Sequence, residues 1–83
     1  MHPESLRFLI QRKLNEGSLP RDSMPRVWGA SANGDFCDAC DQAIPAYEYV
    51  IEGISFDGDA KRGLQFHVQC FSCWDEEREK TLC

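Results

Sequence analysis

A small α+β fold that needs a bound ion or a partner for stability is what this 83-residue sequence predicts. Three observations carry that expectation. The second half holds paired cysteines and a histidine at short spacings, its middle holds strand-forming residues broken by a turn, and both ends have apolar stripes at helical spacing. Below about 70 to 80 residues a hydrophobic core rarely supplies more than roughly 3 to 5 kcal/mol, so something else must hold such a fold together.

The elements can be justified in order. His2-Pro3-Glu4-Ser5 suits the start of a helix, because proline is tolerated in the first turn and glutamate favours its positive end. Leu6, Leu9, Ile10 and Leu14 then recur at steps of three and four, and Gly17 is placed to end the run, so residues 1–17 read as an N-terminal amphipathic helix. About two turns of stripe are too short to persist alone in water, so this helix must dock on the rest of the chain or on another protein. Residues 18–35, with prolines, glycines and little periodicity, read as an extended linker. Leu19-Pro20 and Val27-Trp28 are isolated apolar pairs within it, and Trp28 is expected to pack against the core. An exposed Trp28 points instead to a binding surface.

Residues 36–83 read as the compact module. Cys37-Asp38-Ala39-Cys40 is followed, after 26 residues, by His67-Val68-Gln69-Cys70. Two ligands separated by two residues can grip one ion from a single turn of chain, and two such pairs complete a tetrahedron. Three thiolates and an imidazole suit one structural Zn²⁺ per chain, with Cys37, Cys40, His67 and Cys70 as its ligands. Cys37 to Ile44 is expected to form a knuckle whose backbone N–H groups point at the sulfurs. Ala46 to Glu52 and Leu64 to Phe66 are strand candidates, and between them Gly53 to Gly63 contains Asp57-Gly58-Asp59, a turn signal, so a hairpin with a mobile tip is expected. Val68 to Leu82 reads as a helix with Cys70, Phe71, Trp74, Arg78 and Leu82 inward and Asp75, Glu76, Glu77 and Glu79 toward solvent. Its first turn carries Cys70 beside His67, with the thiolates near the positive end of the helix.

Composition narrows the function classes. Residues 1–36 carry five basic and four acidic side chains and residues 37–83 four and ten, for a total of −5. An acidic metal module is poorly suited to gripping phosphate backbones, so nucleic acid is disfavoured as a partner. If it is bound, Arg7, Arg12, Lys13, Arg21 and Arg26 must bind it, although a solvated face is the simpler reading of those residues. Five cysteines, four of them within 37 residues, argue for a reducing, cytoplasmic setting rather than a disulfide frame. Neither a secretory signal nor an apolar run near 18 residues is present. A four-ligand site without a water-bearing position, and no second histidine or serine partner, argue against an enzyme.

The order of knuckle, hairpin and helix over residues 36 to about 82 resembles the treble-clef class of zinc fingers. Phe66-His67-Val68-Gln69-Cys70-Phe71-Ser72-Cys73 looks like the junction between the two zinc sites of LIM domains. That resemblance implies Cys37, Cys40, His67 and Cys70 as first-site ligands and Cys73 as the opening of a second site. The second site lacks its next ligand, since Glu76 stands where one is required, and the gap between the pairs is long for a LIM half-module. The N-terminal half is also similar to short bacterial zinc-binding proteins of no known activity. The expectation is therefore a monomeric, treble-clef-like zinc module that mediates protein interaction, the alternatives being a small nucleic-acid-binding regulator or a zinc and thiol redox sensor using Cys73 or Cys83. Cys73 is expected to be a small buried side chain, and Cys83 and His2 to lie at the surface without a role.

Overall fold

A computed structural model of the protein describes residues 3–57 and 59–80. In chain order these form α1 (Pro3–Glu16), β1 (Arg26–Ser31), β2 (Tyr49–Asp57), β3 (Ala60–His67) and α2 (Val68–Lys80). The strands make one antiparallel sheet in the order β1-β2-β3. His2, Leu82 and Cys83, weighed above, lie outside the described residues.

Along α1, Leu6, Ile10 and Leu14 are buried and Leu9 is half-buried, so the stripe faces inward. Gly17, at φ +81°, turns the chain out of the helix in a left-handed conformation that glycine adopts without strain. The N–H groups of Ser18 and Leu19 then donate to the Lys13 carbonyl at 2.9 and 3.2 Å, capping the end. The stripe packs on α2, within the same chain. At that joint Glu77 is buried, which corrects its expected place in solvent. The cause is 70 residues away in sequence: Arg7 donates to its carboxylate at 2.7 Å, joined by Gln11 at 2.9 Å and Lys80 at 3.0 Å.

Burial alone pushes the Glu77 carboxyl up, but the hydrogen bonds from Gln11, Lys80 and Arg7 outweigh it and hold the group below its ordinary value. A depressed folded value means stability that is fully present above the unfolded glutamate value, about 4.3, and that drains away as pH falls through the lower folded value. Glu77→Gln should therefore cost about 1 to 3 kcal/mol near neutral pH. Urea midpoints of the two proteins should converge as pH falls from about 5 to about 3, and acid release of metal, common to both, cancels in the comparison. A gap of constant size over that range contradicts this account of Glu77.

The sheet departs from expectation in three places. The segment read as a linker carries β1, which pairs with β2 from Arg26↔Ile54 to Ser31↔Tyr49. β1 has five exposed residues and one half-buried one, so it lacks the alternation by which strands are recognised. β2 starts later and runs longer than Ala46 to Glu52, because a turn closed by the Glu48 N–H on the Pro45 carbonyl, at 2.9 Å, occupies the preceding residues. Finally, the expected hairpin is present, but its strands run further than Ala46 to Glu52 and Leu64 to Phe66, with β2 and β3 paired out to Asp57↔Ala60. Gly53 has a packing role: a Cβ there would lie 2.6 Å from Met24 Sδ and 3.1 Å from the Arg26 carbonyl, so its bareness lets the β1 side of the sheet close in.

One sheet face, with Gly53, Ser55, Leu64 and Phe66, is buried. Phe66 stacks on Trp74 of α2 at 5.5 Å between ring centroids, and Phe71 stands 5.9 Å from Phe66, joining sheet to helix. The Trp74 indole N–H donates to the Pro20 carbonyl at 2.9 Å, so the connection after α1 is also tied to this core. On the opposite face Trp28, expected in the core, is 43% exposed. No described helix is long and apolar enough to cross a membrane.

Candidate metal centre

Residues 37–44 fold tightly back on themselves. Phe36 and Ala43 form an isolated antiparallel bridge, the Cys37 N–H donates to the Gln42 carbonyl at 2.8 Å, and the Asp41 N–H donates to the Cys37 carbonyl at 2.9 Å. This reversal puts Asp41 at φ +64°, a left-handed conformation that aspartate tolerates better than most side chains. Two neighbours brace the loop. Lys13 of α1 donates from Nζ to the Asp38 carbonyl at 2.8 Å and to Asp41 Oδ1 at 2.7 Å. Asp38 then bonds the edge of β3, donating its N–H to the Gln65 carbonyl and accepting the Gln65 N–H on Oδ2, both at 2.8 Å.

His67 ends β3 and Cys70 lies in the first turn of α2, so the junction of strand and helix presents the second pair opposite the first. The ligand atoms of Cys37, Cys40, His67 and Cys70 all lie within 4.8 Å of one another. All three cysteines are buried and His67 is half-buried. The four side chains singled out by their spacing are thus brought together, and they could hold a metal ion. Among the described residues this is the one such cluster of histidine, cysteine and carboxylate groups.

The imidazole is oriented for that role. Its Nε2 is 3.2 Å from the Ala43 carbonyl, which can only accept, so Nε2 bears the proton and Nδ1 offers its lone pair. Nδ1 stands 3.4 Å from Cys40 Sγ and 3.7 Å from Cys70 Sγ. The thiols are strongly differentiated. A hydrogen bond from the Cys70 thiol, with backbone N–H groups of Cys40, His67 and Ala39, overcomes burial and brings Cys37 down to about 4. Burial, the largest cause, raises Cys40, while Cys70 is pushed up by its bond to Cys37 and by burial. One sulfur therefore ionises readily and the other two resist.

Cys73 is buried one turn beyond Cys70 but does not join the cluster. Its thiol is raised mainly by desolvation, in keeping with a small buried side chain. Cys73→Ser is expected to leave metal stoichiometry unchanged, as measured by elemental mass spectrometry on the reduced chain. Loss of the ion in that variant would mean the ligand set is wrong.

The bracing role of Lys13 escaped sequence reading, which placed it among solvated cations. Position 13 falls three residues after Ile10, on the buried side of the helix, and that spacing was the available signal. Compared with protein-family models, with curated proteins and with solved structures, the chain finds no match in any of the three.

Proposed function

We propose that this chain is a structural zinc module of treble-clef type that works by binding another protein. The observation that carries the reading is the convergence of three sulfurs and one correctly oriented imidazole nitrogen within 4.8 Å. With Zn–S near 2.3 Å and Zn–N near 2.0 to 2.1 Å, a tetrahedral ion has an N···S edge of about 3.6 Å. The 3.4 and 3.7 Å separations from His67 Nδ1 fall on either side of that value. A cleft of about 640 Å³ runs past Cys40, His67 and Cys70, yet four protein donors fill a tetrahedral zinc and leave no position for a reactive water. The role is therefore to hold the knuckle, the β2–β3 hairpin and α2 together, the order on which the treble-clef resemblance rests.

The protein-binding part of the reading draws on the sheet. Trp28, Ile54 and Phe56 share its open face by register, with Trp28 and Phe56 43% and 54% exposed. Asp38 covers part of the β3 edge, whereas the outer edge of β1 meets no backbone partner among the described residues. An exposed tryptophan on an open edge strand suits capture of an extended segment of a partner. The nucleic-acid alternative loses three of its five cations to internal pairing, since Arg7, Arg12 and Lys13 pair with Glu77, Glu16 and Asp41.

Elemental analysis of the reduced protein should give one zinc per chain, and a different metal or none overturns the zinc reading. Trp28→Ala should keep that stoichiometry while losing the proteins retained by the immobilised wild type. Retention unchanged by Trp28→Ala removes the sheet face from the proposal.

A further inference from the structure

The open sheet face beside the outer edge of β1 carries a charge pattern that selects among extended partners. By register Trp28, Glu52 and Gln65 form one row across that face, and Arg26, Ile54 and Gly63 form the next. A cleft of about 320 Å³ opens over these rows, with Trp28, Glu52, Ile54, Gly63, Gln65 and Asp38 in its lining. Gly63 keeps it open, since a Cβ there would meet nothing within 4 Å. The lining holds two carboxylates and no cation. Asp38 is committed, because its Oδ2 accepts the Gln65 N–H at 2.8 Å. Glu52 and Arg26 stand in adjacent rows, yet neither forms an ion pair among the described residues.

An unpaired carboxylate directly across from a half-exposed indole suits a flat cation. A guanidinium stacks on the ring while its fork meets the carboxylate, a combination that a lysine ammonium does not match. A strand added along β1 would lie about 4.7 to 4.9 Å from Trp28 and about twice that from Glu52, so an arginine opposite Trp28 reaches Glu52 across the indole. The residue two positions along the same strand faces the same side, opposite Arg26, where an acidic group is matched in charge. The residue between them lies opposite Val27, which is exposed, so an apolar side chain fits there. Antiparallel pairing, the more stable kind, sets the order from the N-terminal side as arginine, apolar, acidic. None of the three strands of this chain contains that order, so a second copy does not supply it. Resting on the reading of this face as protein-binding, we propose that β1 captures an extended segment of a partner protein with that pattern, its arginine over Trp28 against Glu52 and its acid against Arg26.

The test is an amide NMR titration of the reduced 83-residue chain with the end-blocked peptide Thr-Val-Arg-Val-Glu-Val-Thr, and with versions in which glutamine replaces its arginine or its glutamate. Saturable shifts are expected along β1 and around Glu52. Glutamine for the arginine should weaken binding about tenfold, and glutamine for the glutamate about threefold. In Glu52→Gln the arginine peptide and its glutamine version should bind within about twofold of each other, because both changes remove the same pair. Gly63→Val places a strand-forming side chain in open space, so it should keep the spectrum of the unbound chain while weakening the arginine peptide severalfold. Shifts that do not saturate, equal binding of the peptide and either glutamine version, or a preference for arginine that survives Glu52→Gln overturns the proposal. If Trp28→Ala still loses the retained proteins in that case, the face binds protein and the arginine pattern alone has failed.

Discussion

Cys40→Ser, His67→Ala or chelation of the metal should each collapse the dispersion of a heteronuclear NMR spectrum across residues 36–80, whereas Cys73→Ser should preserve it. Structural zinc contributes an apparent 10 to 16 kcal/mol or so at neutral pH, several times what a core of this size offers, so loss of one ligand is not absorbed elsewhere. The loss should also reach α1. Its docking surface is α2, and Lys13 closes on the knuckle through Asp38 and Asp41, so both supports fail together. Retained dispersion after verified metal removal would mean that packing and hydrogen bonds suffice.

Trp74→Ala should be the most damaging substitution outside the ligand set. Trp74 is 1% exposed, stacks on Phe66, lies 5.6 Å from Phe71 and carries the Arg78 guanidinium 5.3 Å from its ring. Truncating a buried aromatic to alanine costs about 3 to 5 kcal/mol, and the Pro20 carbonyl loses its donor as well. Trp74→Phe keeps most of the packing and should cost about 1 to 2 kcal/mol, chiefly from the lost hydrogen bond. Denaturant midpoints at a fixed free-zinc concentration measure both. If Trp74→Ala shifts stability by less than about 1 kcal/mol, the aromatic cluster is not the joint between sheet and helix.

The features legible in the sequence were those set by local spacing. Leu6, Ile10 and Leu14 with Gly17 define α1 without knowledge of its partner, and the two Cys/His pairs that the fold brings together stand out by their separations alone. What stayed hidden depends on neighbours distant in sequence. β1 is recognisable as a strand through β2, which supplies its hydrogen bonds, since its own side chains do not alternate between core and water. Gly53 reads as a loop residue until Met24 is seen against it, because glycine marks both turns and close approaches. Glu77 sits in a run of acids that suggests a solvated face, and Arg7 and Gln11 make its burial tolerable. Trp28 suits the core by its size, yet its register places it on the open face of the sheet.

The clasp between α1 and the rest of the chain has a consequence for biosynthesis. Arg7 waits for Glu77, and Lys13 for Asp41, so during synthesis α1 cannot dock until α2 has followed it. Contacts between segments far apart in sequence delay folding until the later segment is made and leave earlier apolar segments uncovered meanwhile. In this protein the exposed interval includes the stripe of Leu6, Ile10 and Leu14, and on the proposed zinc reading it ends when His67 and Cys70 arrive to complete the ligand set. Cellular zinc supply would then govern how long each nascent chain remains open to aggregation or proteolysis.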